Sequence, residues 1–213
     1  MNISSIIFDL DGVLWDSTLA HRKAFSDTFR HFGIDDSDWN YEKFAGRTTR
    51  ETISEFLGSS MSQSKIQAII TYKQNAANNY LLTTEKPLFN NLLNTLTRLK
   101  EKYRLVICTS SSKRNLDTFL DLSFSRDIFD FTICGDDLPQ AKPNPLIYEK
   151  AIANLSLPKT EIVIVEDSKQ GIQAALDSHC HVIHFCKETC KVEFSGFTIY
   201  DISNLLDLEN ETL

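Results

Sequence analysis

Short apolar runs alternate with helix-patterned stretches through most of this chain, and that alternation limits its fold more than any other feature. Ile6-Ile7-Phe8, Arg104-Leu105-Val106-Ile107-Cys108, Phe131-Thr132-Ile133-Cys134, Ile162-Val163-Ile164-Val165 and residues 181–185 read as strands. Runs without polar alternation suit a parallel sheet covered on both faces, and strand–helix–strand units cross over with a right hand. The pattern predicts an α/β chain, a Rossmann-like, doubly wound and mainly parallel sheet. Between the strands, helices are expected over 144–154, with Pro145 near the start, over 169–177, and through Leu116, Phe119 and Leu120. Leu88, Phe89, Leu92, Leu93, Leu96 and Leu99 form a further helix face, opened by Pro87 where a missing N–H is harmless. Beyond about residue 188 the pattern weakens to one strand, Thr198-Ile199-Tyr200, and a helix.

One long stretch breaks the alternation. Residues 16–85 carry no strand signal. Phe25, Phe29 and Phe32 recur at helical spacing before Gly33, where a helix stop belongs, and an acidic loop follows through Asp35, Asp36 and Asp38. A short helix ends near Leu57-Gly58, and Ile66, Ile69, Ile70, Ala76, Ala77, Tyr80 and Leu81 form another stripe. The chain is therefore expected to divide into an α/β core, residues 1–15 and 86–213, and an all-helical cap, residues 16–85, inserted after the first strand.

Composition narrows the classes of function. The 213 residues are 42% apolar, enough for a sizeable core, and carry a net charge of −7 with no basic block. That balance argues against a nucleic-acid surface. The amino terminus has no basic n-region, and its apolar stretch is too short for a signal or membrane helix. A soluble, cytoplasmic protein, a monomer or weak dimer, is expected. Cys108 and Cys134 end apolar runs and read as buried thiols. His179-Cys180-His181 with His184, Cys186 and Cys190 looks like a metal cluster only superficially: the spacing matches no zinc pattern, and His181, Ile183 and Phe185 alternate as a strand would.

In a parallel sheet the carboxyl ends of the strands share one edge, where open α/β folds place ligands. That edge collects Asp9 and Asp11, Thr109 and Ser110, a loop holding Lys142, and Glu166 with Asp167. Isolated carboxylates are very costly to bury, so acids at the ends of two strands ask for a hard cation such as Mg²⁺. Hydroxyls, loop amides and an ammonium beside them suit phosphate oxygens. Phosphoryl transfer is the chemistry that uses both halves. No Gly-x4-Gly-Lys-Ser/Thr loop is present, which leaves a carboxylate nucleophile as the route.

Asp9-Leu10-Asp11-Gly12-Val13, Thr109 after an apolar strand, Lys142 in Ala-Lys-Pro-Asn-Pro, and Glu166-Asp167-Ser168-x-x-Gly171 resemble, in order, the four motifs of the haloacid dehalogenase superfamily. The subfamily resembled is that of the sugar-phosphate phosphatases and β-phosphoglucomutase, with a small helical cap. The resemblance implies a Mg²⁺-dependent phosphatase acting on a small phosphorylated metabolite, a sugar phosphate, through an aspartyl phosphate. Asp9 would be the nucleophile and Asp11 the general acid and base, acting as an acid with a raised pKa or through a protonated minority. Thr109, or Ser110 one slip away, and Lys142 would hold the phosphoryl group. Asp9, Asp11 (through its carbonyl), Asp167 and Glu166, direct or through water, would hold Mg²⁺. His21, Gly46, Arg47 and Arg50 resemble substrate-facing positions of the cap. Trp15, where the family has a small aliphatic residue, either narrows the pocket or packs between core and cap. The alternatives are a β-phosphoglucomutase-type mutase and a non-catalytic binding module. A dehalogenase would leave Asp11 and the metal acids without work.

Overall fold

The computed structural model describes residues 2–58, 61–83, 89–186 and 194–210. Six parallel strands, β1 (Ser5–Phe8), β2 (Arg104–Cys108), β3 (Phe131–Ile133), β4 (Ile162–Glu166), β5 (His181–Phe185) and β6 (Phe197–Ile199), lie in the order β3-β2-β1-β4-β5-β6. The sheet winds outward from β1 in both directions, so the mouth of β1 sits at its centre. Its unbroken apolar runs have a direct cause. Successive side chains point to opposite faces, and both faces are buried. Ile6, Phe8, Leu105, Ile107, Val163 and Val165 pack against α5 (Leu92–Lys100) and α6 (Lys113–Leu122). Ile7, Val106, Cys108, Ile162 and Ile164 pack against α7 (Leu146–Leu155) and α8 (Lys169–Asp177).

Between the loop after β1 and helix α5, the named elements among the described residues are all helices: α1 (Thr18–Phe32), the short α2 (Tyr41–Phe44), α3 (Thr49–Leu57) and α4 (Gln63–Thr83). They enclose a hydrophobic cluster of their own, Phe25, Phe29, Ile53, Ile66, Ile69 and Ile70, with Trp39 and Phe56 against it. Helix α1 stops at Gly33, whose φ of 62° is left-handed and whose N–H returns to Arg30. Among the described residues no helix is long and apolar enough to cross a membrane.

Three boundaries differ from the sequence reading. Helix α5 begins at Leu92, because Asn91 takes a left-handed φ of 57° that cannot continue into a right-handed helix. Phe89 precedes the helix and packs on Phe185, Leu93 faces outward, and Pro87 and Leu88 lie outside the described residues. Helix α7 begins at Leu146, whose N–H is taken by the Asn144 side chain at 3.0 Å. The terminal helix is a run of 3₁₀ turns, Ile202–Asn210. Cys108 and Cys134 are buried, free thiols. The one group of potential metal ligands among the described residues is acidic and lies elsewhere than 179–186; Cys190 is outside them.

Candidate active site

The loop after β1 folds back on itself. The carbonyl of Leu10 accepts from the amides of Leu14 and Trp15, both at 2.9 Å, and the Gly12 N–H reaches the Trp15 carbonyl at 2.7 Å. Gly12 has φ +90°, and a Cβ there would lie 2.0 Å from the Asp167 carboxylate. Only glycine both allows that backbone and lets Asp167 approach the first loop. Trp15 is fully buried against Phe119, with ring centroids 5.6 Å apart, and lies in the main core cluster rather than in the cavity wall. Of the two readings, packing is the one observed.

Lys142 is the hub of the site. Its ammonium, 1% exposed, donates to Asp9 Oδ1 at 2.5 Å, to Glu166 Oε1 at 2.6 Å and to the Cys108 carbonyl at 3.1 Å. Three protons meet three acceptors from three strands. Burial works against the charge, but Asp9 and Glu166 hold the lysine protonated well above its ordinary range.

Glu166, wholly buried, is saturated from within. Oε1 also accepts from the Tyr148 hydroxyl at 2.5 Å, and Oε2 from the Asp167 and Ser168 amides and the Ser168 hydroxyl. Gly171 lies flat against this carboxylate, where a Cβ would meet it at 2.0 Å. The Ser168 side chain also caps α8.

Asp9, Glu166 and Asp167 each offer an oxygen within 4.8 Å of the others. Three acids meet one ammonium, and Asp167 has no ion pair among the described residues. Burial raises its pKa well above the carboxylate range, and Glu166 and Asp9 add repulsion. Burial also raises Asp9, against the pull of Lys142. An oxygen donor set with surplus negative charge fits a hard divalent cation. The linkage has a definite sign. A carboxyl group whose pKa is raised on folding contributes stability that is present below about pH 4 and is lost as pH rises through its native value. Asp11, held low, contributes stability that is present above about pH 4 and is lost as pH falls below it; His21 and His184, lowered by burial, favour folding as pH rises towards about 6.5. A cation must displace the extra protons of Asp9 and Asp167. The rise in melting temperature on adding Mg²⁺ to EDTA-treated protein is therefore expected to grow from pH 5 to pH 8. A pH-independent shift in thermal melts would contradict this.

Asp11 faces away from that cluster. Ser17 donates to its Oδ1 at 2.6 Å, the His21 ring bonds the same oxygen at 3.0 Å, and Ser111 donates to Oδ2. Burial would raise its pKa, but His21 and the two hydroxyls hold it well below the carboxylate range. The raised pKa expected of an acid is therefore not found: donation from Ser17, His21 and Ser111 stabilises the anion. Behind His21, Lys73 from α4 sits 3.0 Å from Nδ1 and 4.4 Å over the Phe25 ring. An ammonium only donates, so Nδ1 accepts and Nε2–H is assigned to Asp11. Burial brings Lys73 down to about 8.

A cavity of about 1010 Å³ lies over these groups, between the sheet edge and the helices of the insert. Asp9, Asp11, Thr109, Ser110, His21, Gly46, Arg47 and Asp167 line it, together with Lys73 and Tyr41. Lys142 and Glu166 lie beneath it. Thr109 is buried, its hydroxyl accepting from the Ser111 amide at 3.0 Å. Ser110 points the other way and donates to the Gly46 carbonyl at 2.6 Å. Arg47 stands over Phe44 and pairs with Glu55. Arg50 is not brought to the cavity; it reaches Gln67 on α4 at 2.6 Å. Sequence reasoning missed Lys73, Tyr148, Ser17 and Ser111. Lys73 alone carried a signal, a charged residue in phase with the buried positions Ile66, Ile70, Ala77 and Leu81.

Residues 6–185 match the family model described as haloacid dehalogenase-like hydrolase. Protein CbbY of Rhodobacter capsulatus is 30% identical over 196 residues, covering 86% of this chain and 85% of that protein. CbbY of Rhodobacter sphaeroides, crystallised with phosphate and, as a mutant, with xylulose-1,5-bisphosphate, superposes with TM-scores of 0.82 and 0.83 at 27% identity, covering 95% of this chain and 96% of that one. A β-phosphoglucomutase from Clostridium difficile shares the fold, with a TM-score of 0.81, 21% identity, and coverage of 98% of this chain and 95% of its own.

Proposed function

We propose that this chain, which belongs to the haloacid dehalogenase-like hydrolases, is a Mg²⁺-dependent phosphatase that cleaves a sugar phosphate through an aspartyl phosphate on Asp9. The observation that carries this reading is the buried Lys142 ammonium shared by Asp9 and Glu166, with Asp167 beside them, under a cavity large enough for a phosphosugar. The phosphate and xylulose-1,5-bisphosphate held by the 27%-identical CbbY support the substrate class.

In this reading Asp9, Asp167 and the Asp11 carbonyl hold Mg²⁺, while Glu166, its oxygens already taken by five donors, acts behind them on Lys142 and the β4–α8 turn. Bound there, the cation neutralises charge on the phosphoryl oxygens. Thr109, the amides after β2 and Lys142 hold the phosphoryl group in line with Asp9. An Asp9 oxygen bonds to phosphorus as the ester oxygen leaves, and that oxygen takes a proton from Asp11. Water then attacks phosphorus, gives a proton to Asp11, and the Asp9–phosphorus bond breaks to release phosphate.

Asp11, held low by His21, Ser17 and Ser111, is ready for the second half as a base. The first half requires it to take up a proton, which an arriving phosphate dianion favours by adding negative charge nearby. Lys73 and Arg47, which also line the cavity, supply positive charge for a second anionic group.

The test is phosphate release from a panel of sugar mono- and bisphosphates, with Mg²⁺ and with EDTA. Metal-dependent release from one group supports the reading and names the substrate. Conversion of a hexose 1-phosphate to its 6-phosphate without release would replace it by a mutase. Neither reaction, in folded protein, would leave a binding module.

A further inference from the structure

The segment from Gly46 to Glu51 touches the three core loops that carry the phosphate and metal groups. The Gly46 carbonyl accepts from Ser110, after β2. Gly46 has φ +85°, and the space of its missing Cβ is filled by Ser168, after β4, whose hydroxyl would lie 2.4 Å from such an atom. Glu51 makes the third contact: its Oε1 accepts from the Ala141 N–H at 2.9 Å. The glutamate is aimed by its own helix. Thr48 caps α3 by accepting from the Glu51 amide at 3.3 Å, which places the side chain in the first turn, facing the core.

Ala141 immediately precedes Lys142. The backbone on one side of that lysine is thus held by the helical insert, while its ammonium is held by Asp9, Cys108 and Glu166. One residue separates the insert from the hub of the site. We propose that Glu51 is a positioning residue for Lys142: with the insert closed, its carboxylate anchors the Ala141 amide and so sets the backbone from which Lys142 reaches the nucleophile. The kinetic side of this role rests on the phosphatase reading. An acid in the first turn of a helix also has a bland use, as a partner of the helix dipole. The two roles separate by chemistry, because glutamine keeps the acceptor oxygen and loses the charge.

The experiment compares wild type, Glu51→Gln and Glu51→Ala in steady-state hydrolysis of the best substrate and in amide hydrogen exchange at Ala141. Glu51→Ala is expected to lower kcat roughly 10- to 100-fold, as a displacement of about 1 Å near the chemistry does, and to speed exchange at Ala141; Glu51→Gln is expected to stay near wild type in both. Unchanged exchange at Ala141 in Glu51→Ala would overturn the contact. Faster exchange with kcat equal in all three proteins, or Glu51→Gln behaving like Glu51→Ala, would overturn the positioning role. A wild-type chain inactive on every phosphate ester would overturn the phosphatase reading and the role with it, while exchange would still read the contact separately.

Discussion

Asp9→Asn is expected to lower phosphate release by at least about 10⁴-fold, the scale of losing a covalent nucleophile, while the protein stays folded. Asparagine keeps the shape and one carbonyl oxygen, so Lys142 still finds an acceptor where Asp9 Oδ1 stood. What disappears is the anionic oxygen that would bond to phosphorus. The same change removes one of the acids crowded around a single ammonium, and burial already disfavours the charge of Asp9. Without metal the variant is therefore expected to melt at or above the wild-type temperature. Two measurements check this together: steady-state phosphate release, and a thermal melt in EDTA. Activity within tenfold of wild type would remove Asp9 from the nucleophile's role. Lost activity with a collapsed melt would mean that the contact with Lys142, and not the chemistry, had been broken.

Lys142→Met is expected to cost about 3–5 kcal/mol of stability at pH 7, because removing one partner of a buried ion pair leaves the other uncompensated. Methionine fills most of the volume, so the loss measures charge more than cavity. Asp9 and Glu166 would each lose a donor, and Cys108 its carbonyl's partner. Asp9, stranded without its counter-charge, answers by holding its proton, which moves its native pKa further above the unfolded one. A raised acid favours folding below about pH 4 and loses that contribution as pH rises, so the deficit against wild type should widen from pH 5 to pH 8. Urea denaturation across that range reads it. A deficit below about 1 kcal/mol, or one independent of pH, would show that the ammonium is not the counter-charge of this cluster. In the proposed reading Lys142 holds the phosphoryl group while Asp9 and Asp167 hold the metal, so the variant should also lose affinity for inorganic phosphate more than for Mg²⁺.

Much of this architecture is legible before any coordinates. The strands at 104–108 and 162–166 stand where their apolar runs place them, because a strand buried on both faces has little sequence freedom, and the strand at 181–185 stands where its alternation places it. The start of α5 was not legible: Phe89 and the leucines continue a helical stripe through Asn91, and only the observed left-handed turn there ends it. At the candidate site, the acids announce themselves as charges at strand ends, and Lys142 as the lysine of the Ala-Lys-Pro-Asn-Pro loop. Tyr148 gives no such sign, for in sequence it is one more apolar position of α7, and its hydroxyl matters only because Glu166 lies 2.5 Å away across the sheet edge. Arg47 and Arg50 look alike in sequence, yet one lines the cavity and the other reaches α4: Arg47 lies before the cap Thr48, and Arg50 in the first turn of α3.

The amino-acid sequence by itself determined the parallel sheet, the helical stretch between its first two strands and the acids, hydroxyl and lysine at one edge, since apolar periodicity and charge placement are local properties. The tertiary structure alone decided how those groups share protons. Asp11 is held low and not raised, Glu166 is saturated, and Ser110, at the cavity wall, gives its hydroxyl to the Gly46 carbonyl of the insert, because hydrogen-bond partners far apart in the chain outweigh any intrinsic pKa or preference.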